Sequence, residues 1–236
     1  MKNAYVVAER ELKSFFISPL AYVVIALFLA MSGLLFGLIV QQSREASLRG
    51  LFSNVSVLFL FIVPAITMRL LAEEQRSGTI EVLLTHPVQE WEIVLGKYLA
   101  SLGLLLAILV LTLVFPAFLY AWGNPDTGPI VSGYVGVFLQ AAAFMAVGLW
   151  ASSMTQNQII AAVVTFGLLL ILWLSDSLGQ VVGGTVGAIL SYLSVLNHFS
   201  DFPRGVINLK DVVFYLSIVA GGLVLSTLMI QARRLR

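Results

Sequence analysis

Residues 127–175 read TGPIVSGYVGVFLQAAAFMAVGLWASSMTQNQIIAAVVTFGLLLILWLS, 49 positions without one charged side chain. A helix rises about 1.5 Å per residue, and a membrane core about 30 Å thick takes about 20 apolar residues to cross. One helix of this length would overshoot the core about twofold, so the segment must fold back. The polar run Ser152, Ser153, Thr155, Gln156, Asn157 and Gln158 marks the reversal and separates spans over 131–152 and 158–175.

Working outward, the charge-free gaps 14–43, 50–68, 98–125 and 212–232 place further spans at 17–40, 52–71, 96–121 and 212–231. The loop Gly123-Asn124-Pro125-Asp126-Thr127-Gly128-Pro129 is a strong breaker between the third and fourth. The chain of 236 residues is 59% hydrophobic and 11% charged, with mean hydropathy +0.98. Soluble domains carry about 25% charged residues. A soluble enzyme or nucleic-acid-binding domain is excluded, and an all-α polytopic membrane protein is expected. The net charge of +1 implies no polyelectrolyte partner. With no cysteine there is no disulfide, thiolate nucleophile or cysteine metal site. The apolar run after Lys13 is about twice a usual signal h-region and lacks a small-x-small site, so this segment is expected to be retained.

The stretch 178–199 is also uncharged but holds Gly179, Gly183, Gly184, Gly187, Thr185, Ser191 and Asn197, which makes a poor span. Orientation points the same way. With six spans and the N-terminus inside, Lys2, Arg10, Lys13, Arg69, Arg76, Lys97, Arg233, Arg234 and Arg236 face the cytoplasm. Only Arg44, Arg49, Arg204 and Lys210 face outward, a nine-to-four split that satisfies the positive-inside rule. A seventh span would reduce it to eight to five. Residues 176–211 are therefore expected as an extracytoplasmic excursion that re-enters the membrane without crossing. The small-residue steps at Gly179, Gly183 and Gly187 serve helix packing or a gate.

Catalytic and metal motifs are missing. Gly96-Lys97 lacks both the upstream glycine and the following Ser/Thr of a P-loop. His86 and His198 start no H-E-x-x-H, and capping or interfacial hydrogen bonding suits them better than a metal. Asp126, Asp176, Asp201 and Asp211 fall at span edges or in loops. Arg69 reads as the deepest charge, within snorkelling reach of the cytoplasmic end. An ion-coupled carrier, which keeps ionisable relays at membrane depth, is disfavoured.

Two segments outside the spans are unexplained by membrane insertion. In residues 1–16, Tyr5, Ala8, Leu12, Phe15 and Phe16 share one helical face, with Lys2, Glu9 and Lys13 beside it. That is an interfacial helix on the cytoplasmic leaflet, or an ordinary lead-in to the first span. In 72–95, Thr79, Ile80, Val82, Leu83 and Leu84 form an apolar stripe between Gly78 and Pro87, among Glu73, Glu74, Glu81, Glu90 and Glu92. A short amphipathic helix facing a partner explains them, as does re-entry at the bilayer edge.

The run Leu71-Ala72-Glu73-Glu74-Gln75-Arg76-Ser77-Gly78-Thr79-Ile80-Glu81-Val82-Leu83-Leu84-Thr85, with Pro87-Val88 and Trp91-Glu92-Ile93-Val94-Leu95-Gly96-Lys97, resembles the loop before the third span of ABC-2-type transporter permeases. Leu196-Asn197-His198-Phe199, Phe202, Arg204-Gly205-Val206-Ile207-Asn208 and Asp211-Val212-Val213-Phe214-Tyr215 resemble the segment before the last span in the gliding-motility-associated branch. Asn208 stands where an aspartate is expected and His86 where serine is common. The resemblance covers the chain and implies one transmembrane domain over 1–236, a type V exporter-like fold. It implies a second transmembrane subunit, in a homo- or heterodimer, that in this branch often carries a large extracytoplasmic domain.

It also implies two cytoplasmic ATPase subunits that bind ATP and Mg²⁺, this chain holding no cofactor. Glu73, Glu74, Gly78, Thr79, Glu81, Leu83 and Leu84 would then form the ATPase-coupling helix. Tyr5, Glu9, Leu12 and Lys13 would belong to a gate helix, and His198, Phe199, Arg204, Gly205 and Asp211 to the re-entrant segment. The reading is a non-catalytic permease of the cytoplasmic membrane with both termini inside. The alternatives are an ATPase-driven subunit that transmits force to an extracytoplasmic partner, and an independent channel or carrier. The spans offer hydroxyls, amides and aromatics at Tyr22, Tyr120, Gln140, Trp150 and Trp173, which suit lipids, glycans or peptides alike and so name no substrate.

Overall fold

The computed structural model describes the backbone of residues 2–43, 45–79 and 89–234, and their side chains except those of Lys2, Arg233 and Arg234. Every regular element among them is helical. In chain order these are α1 (Lys2–Ile17), α2 (Pro19–Ser43), α3 (Arg49–Thr67), α4 (Ala72–Ser77), α5 (Glu90–Thr112) and α6 (Val114–Trp122). There follow α7 (Thr127–Met154), α8 (Gln158–Val182), α9 (Gly184–Tyr192), α10 (Val195–Phe199), a 3₁₀ turn at Phe202–Arg204 and α11 (Leu209–Arg234). Residues 80–88 lie outside the described set, and with them Ile80, Glu81, Val82, Leu83 and Leu84 of the expected coupling helix.

Six stretches are long and apolar enough to cross a membrane: Pro19–Ser43, Arg49–Ser77, Glu90–Trp122, Thr127–Met154, Gln158–Val182 and Leu209–Ala232. Each contains or overlaps one expected span, but the limits move for local reasons. The third starts at Glu90 because Glu90 and Glu92 sit in its first turn, where the helix dipole favours acids. The Glu92 carboxylate also accepts from the Gln89 backbone N–H at 3.4 Å. The fifth runs on to Val182 because Asp176 does not end it. That carboxylate accepts from Gln180 one turn later (2.8 Å) and from Asn197 of α10 (2.8 Å). Residues 178–182 thus belong to α8 rather than to a separate excursion.

Proline explains the break between α5 and α6. Pro116 has no N–H to give the carbonyl four residues back, at Thr112. The Tyr134 hydroxyl of α7 donates to that freed oxygen at 2.9 Å.

Helix α7 is the central element. Where α3 crosses it, a Cβ on Gly133 would lie 2.2 Å from the Phe52 ring, and one on Gly148 would lie 2.3 Å from Thr67 Oγ1. On another side a Cβ on Gly222 of α11 would meet the Ala146 carbonyl at 2.8 Å. Glycine here removes the side chain that would hold the helices apart. Gln140, one of the polar side chains within the spans, is fully buried and hydrogen-bonded to Ser56 of α3.

The reversal after α7 falls where the polar run placed it. Asn157 caps α8, its Oδ1 accepting from Ile159 N (2.9 Å) and Ile160 N (3.4 Å). That turn lies at the same end of the bundle as the end of α3, the start of α5 and the end of α11. Ser152 bonds to Leu71, and Trp91 shares a groove with Gln231.

At the other end, α8 and α9 form a tight hairpin. Gly183 and Gly184 turn it at φ +66° and +61°, a region that favours glycine. Its arms touch through Gly179 and Gly187, backbone against backbone.

Candidate functional site

The end of the bundle that carries α4 concentrates the buried charge. Lys97, one turn into α5 from the last acidic residue, has a side chain only 1% exposed. Its ammonium sits 3.0 Å from Glu11 Oε1 of α1 and 2.8 Å from Glu74 Oε1 of α4. One cation therefore joins three segments far apart in sequence: the N-terminal helix, the helix entering residues 78–88, and the third span. Among the described residues Lys97 and Asp211 are the least exposed charged residues. Arg69 is a third exposed and pairs with Glu73 at 2.9 Å, while also reaching Ser18 at 3.2 Å.

Sequence spacing could not reveal this cluster, because it depends on how α1 lies on α5. Asn3 Nδ2 donates to Glu92 at 2.9 Å, Ala4 and Val7 cover Gly96, and Leu12 covers Gly103. The contacts advance together, so α1 runs alongside α5 in the same direction. Its packed face is Ala4, Val7, Glu11, Leu12 and Phe15. Of the apolar face read for the cytoplasmic leaflet, Tyr5 is 69% exposed and Phe16 is exposed as well, while Leu12 packs over Gly103. The partner surface on α5 sets the face: Gly96 and Gly103, seven apart, leave a groove that α1 fills. Glu9 and Lys13 pair on the outside at 2.6 Å. The hydrogen bond and charge of Glu9 hold the Lys13 ammonium above its ordinary pKa. Such an exposed pair contributes little stability.

Helix α4 is fixed from a second side. The Ser152 hydroxyl of α7 accepts from Leu71 N (3.1 Å) and Ala72 N (3.0 Å), and donates to Met68 O (3.2 Å). It satisfies backbone groups stranded where α3 gives way to α4. Gln75 Nε2 donates to Ser153 O at 3.0 Å. Gly78 closes α4 as its left-handed C-cap at φ +70°. Glu74, one turn earlier, points into the protein toward Lys97, whereas the Glu73 side chain is 46% exposed beside Arg69 and Thr79 is exposed at the edge of the described segment. Ser152→Ala should cost about 1–3 kcal/mol, since it leaves buried donors without an acceptor. A lowered melting temperature of the purified chain in detergent checks this; an unchanged one removes Ser152 from the anchoring of α4.

At the opposite end, His198 is buried against Phe214, with ring centroids 3.8 Å apart. Its Nδ1 meets Asp211 Oδ1 at 2.6 Å and its Nε2 meets the Tyr192 carbonyl at 3.0 Å. This pair ties α10 to α11 and α9. Asp211, expected at a span edge, is almost wholly buried in the first turn of α11. The Tyr215 hydroxyl adds a bond to Val195 O at 2.9 Å. Phe199 is buried near Phe202, whereas Arg204 is exposed, 3.8 Å from Asp201. Gly205 closes the 3₁₀ turn at φ +96°. No group of three or more potential ligands among the described residues is placed to hold a metal ion.

Residues 5–220 match the family model described as ABC-2 family transporter protein. The chain is 28% identical over 164 residues, 68% of its length, to the probable multidrug ABC transporter permease YbhR of Escherichia coli strain K12. The same identity and coverage hold for the protein of that description in E. coli O157:H7. The chain spans 43% of the length of these relatives.

Proposed function

The chain belongs to the ABC-2 family of transporter proteins, and from that premise we propose that it is the membrane permease subunit of an ATP-binding-cassette exporter. ATP and Mg²⁺ are held by a cytoplasmic ATPase dimer, and a second transmembrane subunit completes the pathway. The chain lies in the cytoplasmic membrane with both termini inside. The resemblance at 196–215 favours the gliding-motility-associated branch, whose second membrane subunit often carries a large extracytoplasmic domain.

One observation above all supports ATPase coupling: the segment entering residues 78–88 is locked to α1 and α5 through Lys97 and to α7 through Ser152. Force applied at 79–84 then enters the bundle through helices that are already clamped. Glu11 rather than Tyr5 or Glu9 is the α1 residue that receives it. Within this reading Leu83 and Leu84 seat the loop in the ATPase, each contributing about 1.5–3 kcal/mol on full burial. Glu81 sets docking register and encounter rate.

Leu83→Asp should reduce ATPase association, or its transport-linked stimulation, by tenfold or more, since about 1.4 kcal/mol suffices for that. The variant should still insert and pair in the membrane. Changes in the 123–129 loop, at the other end of the bundle, should leave ATPase docking intact. The reverse pattern, a harmless Leu83→Asp and a damaging loop change, would overturn both the coupling assignment and the orientation.

A further inference from the structure

We propose that the groove between α2 and α6, at the end of the bundle remote from Lys97, binds a zwitterionic phospholipid with its headgroup between Glu45 and Arg49. The proposal does not depend on ATPase coupling. The groove measures about 700 Å³, within the range of small-molecule sites. Aromatic side chains of Phe36, Phe115, Phe118 and Trp122 wall it, and Gly33 and Gly37 leave its α2 side open. These residues belong to the first and third membrane-crossing stretches, so the groove lies at the depth of the acyl chains.

Toward the end of the bundle the lining changes character. Gln41 and Glu45 stand at the edge of the groove, and Glu45 with Ala46 also lines an adjoining polar pocket of about 240 Å³. That second pocket adds Arg49 and Asp126. Asp126 is occupied in part, its Oδ1 accepting from Gly128 N at 3.1 Å. Among the described residues, neither the Glu45 carboxylate nor the Arg49 guanidinium has a hydrogen-bond or ion-pair partner, although both face the same pocket.

An apolar chamber that opens into a pocket bearing unpaired charges of both signs has the layout of a phospholipid. The acyl chains take the aromatic groove. The guanidinium of Arg49 takes the phosphate, for which its planar fork of donors is suited. The ammonium of an ethanolamine headgroup takes Glu45, with Asp126 close by. A purely anionic headgroup would gain Arg49 but meet two carboxylates, so the site selects for the zwitterion.

The test is native mass spectrometry of the purified chain in mixed micelles containing phosphatidylethanolamine or phosphatidylglycerol. Phosphatidylethanolamine should be retained at least tenfold better. A Cβ at Gly37 meets nothing within 4 Å, and one at Gly33 only the Phe115 ring at 3.9 Å. The backbone at Gly37 and Gly33 therefore accepts a side chain, and Gly37→Leu and Gly33→Leu place one in the groove. Each should lower retention of the ethanolamine lipid tenfold or more while leaving the melting temperature of the lipid-free chain unchanged. Glu45→Gln should keep lipid bound but largely abolish the headgroup preference, whereas Arg49→Gln, which removes the partner of the phosphate common to both lipids, should weaken retention of both without reversing the preference. Equal retention of both lipids by the parent chain, or undiminished retention in the two glycine variants, would overturn the proposal. The headgroup variants decide the matter even if a groove-filling variant fails to fold.

Discussion

Lys97→Met is expected to destabilise the chain by about 3–5 kcal/mol, the usual cost of breaking a buried ion pair from one side. The methionine fills nearly the same space but leaves Glu11 and Glu74 facing each other without the cation that lies 3.0 Å and 2.8 Å from them. One oxygen of Glu74 is already buried without a hydrogen-bond partner, so the site has no spare donor to absorb the loss. Adding Glu11→Gln and Glu74→Gln to Lys97→Met should restore much of the stability, because neutral groups carry no such desolvation cost. Thermal unfolding in detergent reads the global effect. Limited proteolysis reads the local one: α1 should become cleavable before the span helices do. Parent-like unfolding of Lys97→Met would show that the three segments are not held through this lysine.

Gly187→Val should open the hairpin between α8 and α9. A Cβ at Gly187 would lie 2.4 Å from the Gly179 carbonyl oxygen, and a Cβ at Gly179 would lie 2.6 Å from the Gly187 carbonyl. Both obstacles are backbone, so no side-chain rotation relieves them and the arms must separate. Overpacking costs about 1–3 kcal/mol where neighbours can adjust, and this contact sits at or above the upper end. Hydrogen exchange should show loss of protection across α9, with α5 and α7 unaffected. Gly167→Val supplies the control, since a Cβ there meets nothing within 4 Å. If α9 keeps its protection in Gly187→Val, the two arms are not held by this contact.

The six spans are legible in the sequence because lipid excludes charge, and the charge-free runs 14–43, 50–68, 98–125, 127–175 and 212–232 register that exclusion directly. The same logic misplaced the end of α8. Asp176 counts as a charge in a linear scan, yet Gln180 and Asn197 satisfy it and the helix continues to the glycine pair. The glycine steps at 179, 183 and 187 were visible, but not how they are used: two form the contact between antiparallel arms and the third makes the turn. The packed face of α1 was only half legible. Periodicity identifies an amphipathic helix, but that Glu11 turns toward α5 depends on Gly96, Lys97 and Gly103, which shape the receiving surface. In the sequence Lys97 stands as a cytoplasmic charge, as part of a failed P-loop and as the end of the run resembling the ABC-2 loop, and none of these points to Glu11. Glu11 lies 86 positions from it, and local spacing carries no record of such a pairing.

The central claim is that residues 79–84 are where an ATP-binding subunit grips this chain. The chain contains no cysteine, so Leu84→Cys introduces a single site for disulfide or maleimide cross-linking in native membranes. The account predicts a cross-linked product containing an ABC ATPase subunit, and none from a cysteine placed at Asn124 on the other end of the bundle. A product from Asn124→Cys, with none from Leu84→Cys, would contradict it.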